Sequence, residues 1–338
     1  MRCYKIVVGG KTLFELNGKN PIAPRIRYQI QSFADNQGLA FIDVFNVEFS
    51  RFSGGAKALL DKEIEFHAWI ESTPMNKLLG YKKELNTLIY KGYIINVIPN
   101  YNFGESTCIT LALNQSPGGK KQEKKEAEKE KIVFSVKKGQ IVAHEAQRVL
   151  RKLYPNLSID IAKTQEMTIL SLIAKTNLNQ TIFKVDDLIA VLNNMKFGKD
   201  NKNYLQIYRN NTQKITIALN DFSKTDIPLA YDFSISAYDL LEQPQYIDYQ
   251  TIQLSVRPSG KYQITKTLRI PQTIAFNVSA ISTQVPYYSD ENGDYSNKLF
   301  FSGNFLIKEI WHIGDTHNIQ AQQWATNIKA VSLNNTQL

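Results

Sequence analysis

Alternation with a period of two is the feature that most limits how this chain can fold. "RIRYQIQSF" puts Ile26, Tyr28 and Ile30 on one face and Arg25, Arg27, Gln29 and Gln31 on the other. "LAFIDVFNVEF" continues the pattern, and "EIEFHAWIE" turns Ile64, Phe66, Ala68 and Ile70 inward. Side chains two apart share a face in a strand and not in a helix, so each run reads as a half-buried strand. "YKIVV" and "KTLFEL" flank Gly9-Gly10, a pair that accepts the positive φ angles of a tight hairpin turn. "GYIINVIPN" and "STCITLALN" bring the first third to about seven strands, the number of a small antiparallel barrel or sandwich. The 17 Tyr and 17 Phe favour strands over a helix bundle. His67 shares its face with Glu65, Trp69 and Glu71, which marks it as an outward polar residue.

"QSPGGKKQEKKEAEKEK" ends this periodicity. Its Pro-Gly-Gly and its dense mixed charge mark a boundary. From Lys120 to Lys131 it holds six lysines and four glutamates, the mark of a solvated linker or short exposed helix. Phosphate tracking wants charge of one sign, so the net charge of +9 does not make this segment a nucleic-acid site.

Beyond it the period changes to 3.6. In "KKGQIVAHEAQRVLRKLYPN", Val142, Ala146, Val149, Leu150 and Leu153 fall on one helical face, with Pro155 as the stop and His144 off the stripe. "VDDLIAVLNNM" reads as a second helix, with Asp186 or Asp187 in its first turn. Strands then resume from about Tyr204. "YLQIYRNNTQKITIAL" is a hairpin around Asn210-Asn211, followed by "YDFSISAY", "QTIQLSVRP", "YQITKTLRI" and "TIAFNVSAIS". The last pair of arms is "FLIKEIWH" and "WATNIKAV". At 338 residues two or three units are expected: a β unit over 1–115, the charged linker with a small α/β unit over 116–200, and a second β unit over 201–338. The fold class is α+β, mostly β.

Candidate chemistry is sparse. Cys3 and Cys108 are too few for a disulfide framework, and each sits in a strand-like run as a buried free thiol. No leader-like or membrane-spanning apolar segment is evident, so synthesis in a reducing cytoplasm is expected. Asp290, Asn292 and Asp294 have the spacing of calcium ligands, but the glycine and glutamate of an EF-hand loop are missing and a turn is expected. "HIGDTHNIQAQQW" offers His312, Asp315 and His317 as a ligand or acid/base cluster. Two of these three fall in a loop, where a rigid metal site is poorly supported. A hairpin turning at Gly314-Asp315 is therefore expected, with Trp324 and Ile328 on one face of the returning arm. No nucleophile elbow, phosphate loop or zinc-helix motif is present.

As a set, these segments resemble phage baseplate hub proteins of contractile or Mu-like tails. "VVGGKTL", "RIRYQIQSF" and "LAFIDVFNVEFS" resemble the opening of that family, where a Gly hairpin precedes a barrel. "SGNFLIKEIWHIGDTHNIQAQQWATNIKAV" resembles its closing hairpin, a His-x-Gly-Asp turn followed by a Trp-x-Thr arm. "LEQPQYIDYQTIQLSVRPSGKYQITKTLRIP" is similar to a strand pair that passes between the family's barrel elements. The resemblance implies two tail-tube-like antiparallel β-barrels with a small α/β domain between them. It also implies a homotrimeric ring that adapts a sixfold tail tube protein to a threefold central spike protein, within reach of a tape-measure protein. DNA would pass through the lumen without specific contact. The place implied is the tail baseplate of the virion, the role is structural, and no catalytic, cofactor or metal residues carry over. "FSVKKGQIVAHEAQRVLRKLYPN" is also similar to a LysM-type module, which implies an alternative: a peptidoglycan-binding or cell-wall-acting tail protein.

Overall fold

The computed structural model describes residues 1–32, 40–47, 55–71, 86–102, 106–114, 131–197, 202–210, 214–221, 231–236, 238–248, 251–270 and 303–333. Residues 120–130 of the charged segment, the strand expected over "TIAFNVSAIS" and the loop with Asp290, Asn292 and Asp294 lie outside these. The described residues are mostly β with a few short helices, and none of those helices is long and apolar enough to cross a membrane.

Among the described residues the first third, where the period-two runs are, holds seven strands. They are β1 (Arg2–Val8), β2 (Lys11–Leu16), β3 (Ile26–Ser32), β4 (Ala40–Phe45), β5 (Glu63–Ile70), β6 (Leu88–Asn102) and β7 (Ser106–Asn114). Gly9 and Gly10 take φ of 57° and 79° and pair Val8 with Lys11, a turn whose backbone excludes most side chains. Ile26, Tyr28 and Ile30 of β3 and Ile64, Phe66 and Ala68 of β5 are buried, as their alternation requires.

The middle of the chain carries the helices. Strand β8 (Ile132–Val136) leads through Lys138-Gly139 into α1 (Val142–Leu153), which buries Val142, Ala146, Val149, Leu150 and Leu153. The helix ends before Pro155, whose ring cannot continue it. Strand β9 (Ser158–Ile161), the short α2 (Glu166–Leu170) and β10 (Leu178–Ile182) follow, and β10 returns antiparallel to β8. Helix α3 (Val185–Asn194) starts where Asp187 accepts the Phe183 and Lys184 amides, satisfying donors that a helix start leaves open. Strands β11 (Leu205–Arg209) and β12 (Lys214–Leu219) form the expected hairpin, and β9 adds to β12 in parallel. Strand pairing therefore crosses residue 200.

The remaining strands of the described residues are β13 (Phe233–Ser234), β14 (Gln245–Tyr246), β15 (Thr251–Val256), β16 (Thr267–Ile270), β17 (Gly303–Asp315) and β18 (Trp324–Ser332). Two expectations shrink here. Among its described residues "YDFSISAY" contributes only the two of β13, and "YQITKTLRI" is strand only from Thr267. In the second case Thr265 at φ 69° turns the chain just before the strand begins.

The main sheet joins both ends of the chain in the order β14-β15-β18-β17-β3-β4-β7-β6-β5-β1-β2, with β16 and β13 added beside β17. Strand β17 changes neighbour along its length. Gly303 to Leu306 pair with β16, and Ile310 to Asp315 pair with β3. One strand thus belongs to both β regions, and a core lies on each side of the join.

The sheet is strongly curled. Adjacent strands lie about 4.8 Å apart, so four steps from β3 to β5 would span about 19 Å if flat. The Tyr28 and Phe66 ring centroids are 4.8 Å apart. Trp324 of β18, six steps from β5, donates its Nε1–H to the Trp69 carbonyl at 3.1 Å. No backbone ladder joins the two rims among the described residues, so side chains hold the curl.

Gly314 sits where this curl is tightest. A Cβ at that position would lie 2.1 Å from Tyr28 Cε1 and 2.7 Å from Trp324 Cε3. Both rings are buried and packed, so neither can withdraw without opening the core. Gly314→Ala is expected to cost at least about 2 kcal/mol by this overpacking, measured as a lower denaturant midpoint. A midpoint equal to the parent's would contradict the packing described.

Candidate functional site

The three residues singled out from the closing segment do not converge. His312 lies within β17 with its ring buried, and its Nδ1 is 2.8 Å from Thr326 Oγ1 on the paired strand. Burial drives its pKa down to about 3, so the ring is neutral near pH 7. Asp315 is the last residue of β17, and His317 is exposed in the loop beyond. The turn expected at Gly314-Asp315 is therefore displaced. Gly314 pairs with Trp324 and Asp315 with Arg27, and the loop runs from 316 to 323. A Gly-Asp pair suits a turn, but here the missing side chain serves close packing within a strand.

Asp315 is the centre of a clasp between the two ends of the chain. Its carboxylate accepts Arg25 Nε at 3.1 Å and Arg25 Nη2 at 2.7 Å, a two-pronged ion pair. The same carboxylate accepts the His317 amide at 2.9 Å. Its backbone carbonyl accepts Arg2 Nη1 at 2.6 Å, and Arg2 Nη2 also donates to the Gln320 carbonyl. Burial pushes the carboxyl pKa up, but the bonds from Arg25 and from the His317 and Asn318 amides hold it below the ordinary carboxylate range. Thr316 adds two more links, its amide donating to the Ile26 carbonyl and its Oγ1 accepting the Ile26 amide, both at 3.1 Å. Above the clasp, Trp324 packs edge-on to Tyr28 at 5.1 Å. The Arg2, Arg25 and His317 donors each have an acceptor here, whereas the buried Tyr28 hydroxyl has no hydrogen-bond partner among the described residues. The arrangement fastens strands from the two ends of the chain to each other.

Arg2, Arg25 and Trp69 complete this seam and were not marked by the sequence. Arg2 and Asp315 are 313 positions apart, so no local spacing announces the contact. The other candidates lie elsewhere. His67 is on the outward face of β5, its Nδ1 3.0 Å from Thr87 Oγ1, and burial lowers its pKa. His144 is exposed on α1. Cys3 and Cys108 are free and buried, and burial, then Glu71, pushes the Cys3 thiol up to about 12, away from a reactive thiolate. Among the described residues no group of three or more His, Cys, Asp or Glu side chains is placed to hold a metal ion.

No family model and no curated relative matches this sequence. Solved structures similar to the chain include three tail or secretion proteins. One is a tail protein from Neisseria meningitidis MC58, at 10% identity and TM-score 0.47, covering 98% of this chain and 96% of that one. Another is the E. coli c3393 protein, a component of the type VI secretion system with structural similarity to T4 bacteriophage tail proteins gp27 and gp5. It has 9% identity and TM-score 0.48, covering 97% of this chain and 76% of that one. The third is the 43 kDa tail protein of prophage MuSo2 from Shewanella oneidensis, at 8% identity and TM-score 0.46, covering 98% and 99%.

The buried histidine makes stability depend on pH. In the unfolded chain its ring takes a proton near pH 6.5, whereas in the fold it stays neutral down to about 3. The unfolded state therefore binds the extra proton, and the stabilisation present above pH 6.5 is lost as pH falls towards 3. The slope is about 1.4 kcal/mol per pH unit. The Asp315 contribution has the same sign but is lost only below the ordinary carboxylate range. His312→Gln is expected to flatten the urea midpoint between pH 6.5 and 4.5 and to keep the loss at lower pH. An unchanged slope in the variant would show that His312 is not the titrating group.

Proposed function

We propose that this chain is a structural baseplate hub of a phage tail. In this reading 1–115 and 201–338 form two tail-tube-like barrels flanking the α/β unit of 116–200. Three copies close into a ring between a sixfold tail tube and a threefold spike in the virion, with DNA passing through the lumen. Its chemistry is that of assembly, with no catalytic group.

The observation that carries the proposal is the place of the closing hairpin. Gly314, Asp315, Trp324 and Thr326 are the residues that resemble the hub family's last hairpin. In the fold they form the seam that locks β17 and β18 to β1, β3 and β5. A ring element that transmits force needs its β regions fixed to each other, and a strand shared by both supplies that rigidity. The outer strands β2 and β14 each pair on one side only among the described residues. Free strand edges of this kind are commonly covered by a partner chain, which supports oligomer closure.

Light scattering is expected to return the mass of three chains, and negative-stain images a ring with a central hole. Copurification with a tail-tube or spike protein is the matching binding result. A strict monomer at high concentration that binds neither partner would overturn the proposal. The peptidoglycan-binding alternative draws on one observation, the run of β8, the Lys138-Gly139 turn and α1 with β10 returning beside β8. It requires the chain to sediment with purified peptidoglycan, and a chain left wholly in the supernatant would remove it.

A further inference from the structure

A polar cleft of about 390 Å³ opens between α1, β9 and the 263–266 segment before β16. That volume lies within the range of small-ligand sites. Four cations and three carboxylates line it. Lys214 Nζ is held 2.5 Å from Asp160, and Lys266 Nζ is 2.8 Å from Asp232. These two pairs neutralise themselves, and exposed Glu166 is the remaining lining carboxylate, so the cleft keeps an excess of one positive charge. Arg151 and Lys163 are exposed on the cleft wall and make no ion pair among the described residues, so they are available to an anion.

Two local features set this cleft apart from an ordinary surface hollow. Thr164, 5% exposed in its wall, has a buried hydroxyl with no hydrogen-bond partner. Such a group is costly to leave unmet, because folding has stripped it of water. Thr265, which also lines the cleft, holds φ at 69° although its side chain is β-branched. Residues of that shape rarely occupy the left-handed region, and strain of this kind gathers at binding positions. Gln147 and Gln263 also line the cleft. The cleft thus combines unpaired positive charge with hydroxyl and amide groups that suit a polyhydroxyl partner.

We propose that this cleft binds a small organic anion that carries hydroxyls beside a carboxylate or phosphate. The anionic group is held by Arg151 and Lys163, and Thr164 and the glutamine amides take the hydroxyls. The inference does not depend on the hub reading, since none of the residues lining the cleft belongs to the clasp.

Calorimetric titration of the full chain with glucose 6-phosphate, glucuronate and neutral glucose tests it. Saturable one-to-one binding of at least one anion, with no binding of glucose, is expected. The anion that binds identifies the preferred charged group. Arg151→Gln/Lys163→Gln should weaken that binding by about tenfold or more while melting at the parent temperature, because both side chains are exposed. Thr164→Val should also weaken it and melt no lower than the parent, since the unmet hydroxyl is gone. No saturable binding of either anion, equal binding of glucose, or unaltered affinity in the double variant would each overturn the proposal.

Discussion

The structure depends on β17 being shared. A strand of thirteen residues is longer than either of its partners on that side needs, and the excess length lets it serve two neighbours in succession. Its first residues build the C-terminal β region against β16, and its last residues build the N-terminal one against β3. Strand β18 backs it throughout, with the ladder interrupted only between Ile307 and Glu309. A bulge there adds local twist, and it falls where β17 passes from one neighbour to the other. The apolar cores on the two sides are then parts of one continuous hydrogen-bonded sheet.

Around that spine the outer face of the first sheet is laced with polar pairs that cross strands. Arg27 of β3 reaches Asp43 of β4, Asp43 accepts Thr110 of β7, and Thr110 in turn accepts Asn100 of β6. Lys91 of β6 bridges Glu63 and Glu65 of β5 at 3.0 and 2.8 Å. Exposed pairs of this kind contribute little each. Their regular placement between adjacent strands still favours one register over its neighbours. Apolar faces turned inward drive the curl, and the polar lacing outside holds the alignment that the curl needs.

This division explains what could be read from the chain. Period-two runs give Ile26, Tyr28, Ile30, Ile64 and Phe66 their inward positions, because a strand's geometry is local. The α1 stripe, the stop before Pro155 and the Asp187 start of α3 are equally local. Strand β9 escapes such reading, since four residues carry too little alternation and its pairing with β12 is decided by tertiary contact. Gly314-Asp315 misleads for a related reason. The residue types of a turn are also those of a close backbone approach, and only the position of the Tyr28 and Trp324 rings distinguishes the two. Nothing near Asp315 in sequence names Arg2 or Arg25 as its partners. The candidate site was legible as a hairpin but not as a clasp.

The polar residues along the seam specify what the apolar ones cannot. Ile310, Ile328 and Ala330 would accept many neighbouring registers, since one aliphatic contact much resembles another. His312 faces Thr326 directly, Ser255 donates to Asn327, and Asp315 receives Arg25 in two-pronged geometry. A slip of β17 by one residue would send every side chain to the opposite face. His312 would lose Thr326, Asp315 would leave Arg25, and a residue with a Cβ would enter the space beside Tyr28 that only Gly314 fits. Each of these losses strands a buried polar group or forces an overlap, so the penalties fall together on the wrong register. The hydrophobic cores supply the drive to fold, and this short polar strip between them decides how the two halves meet.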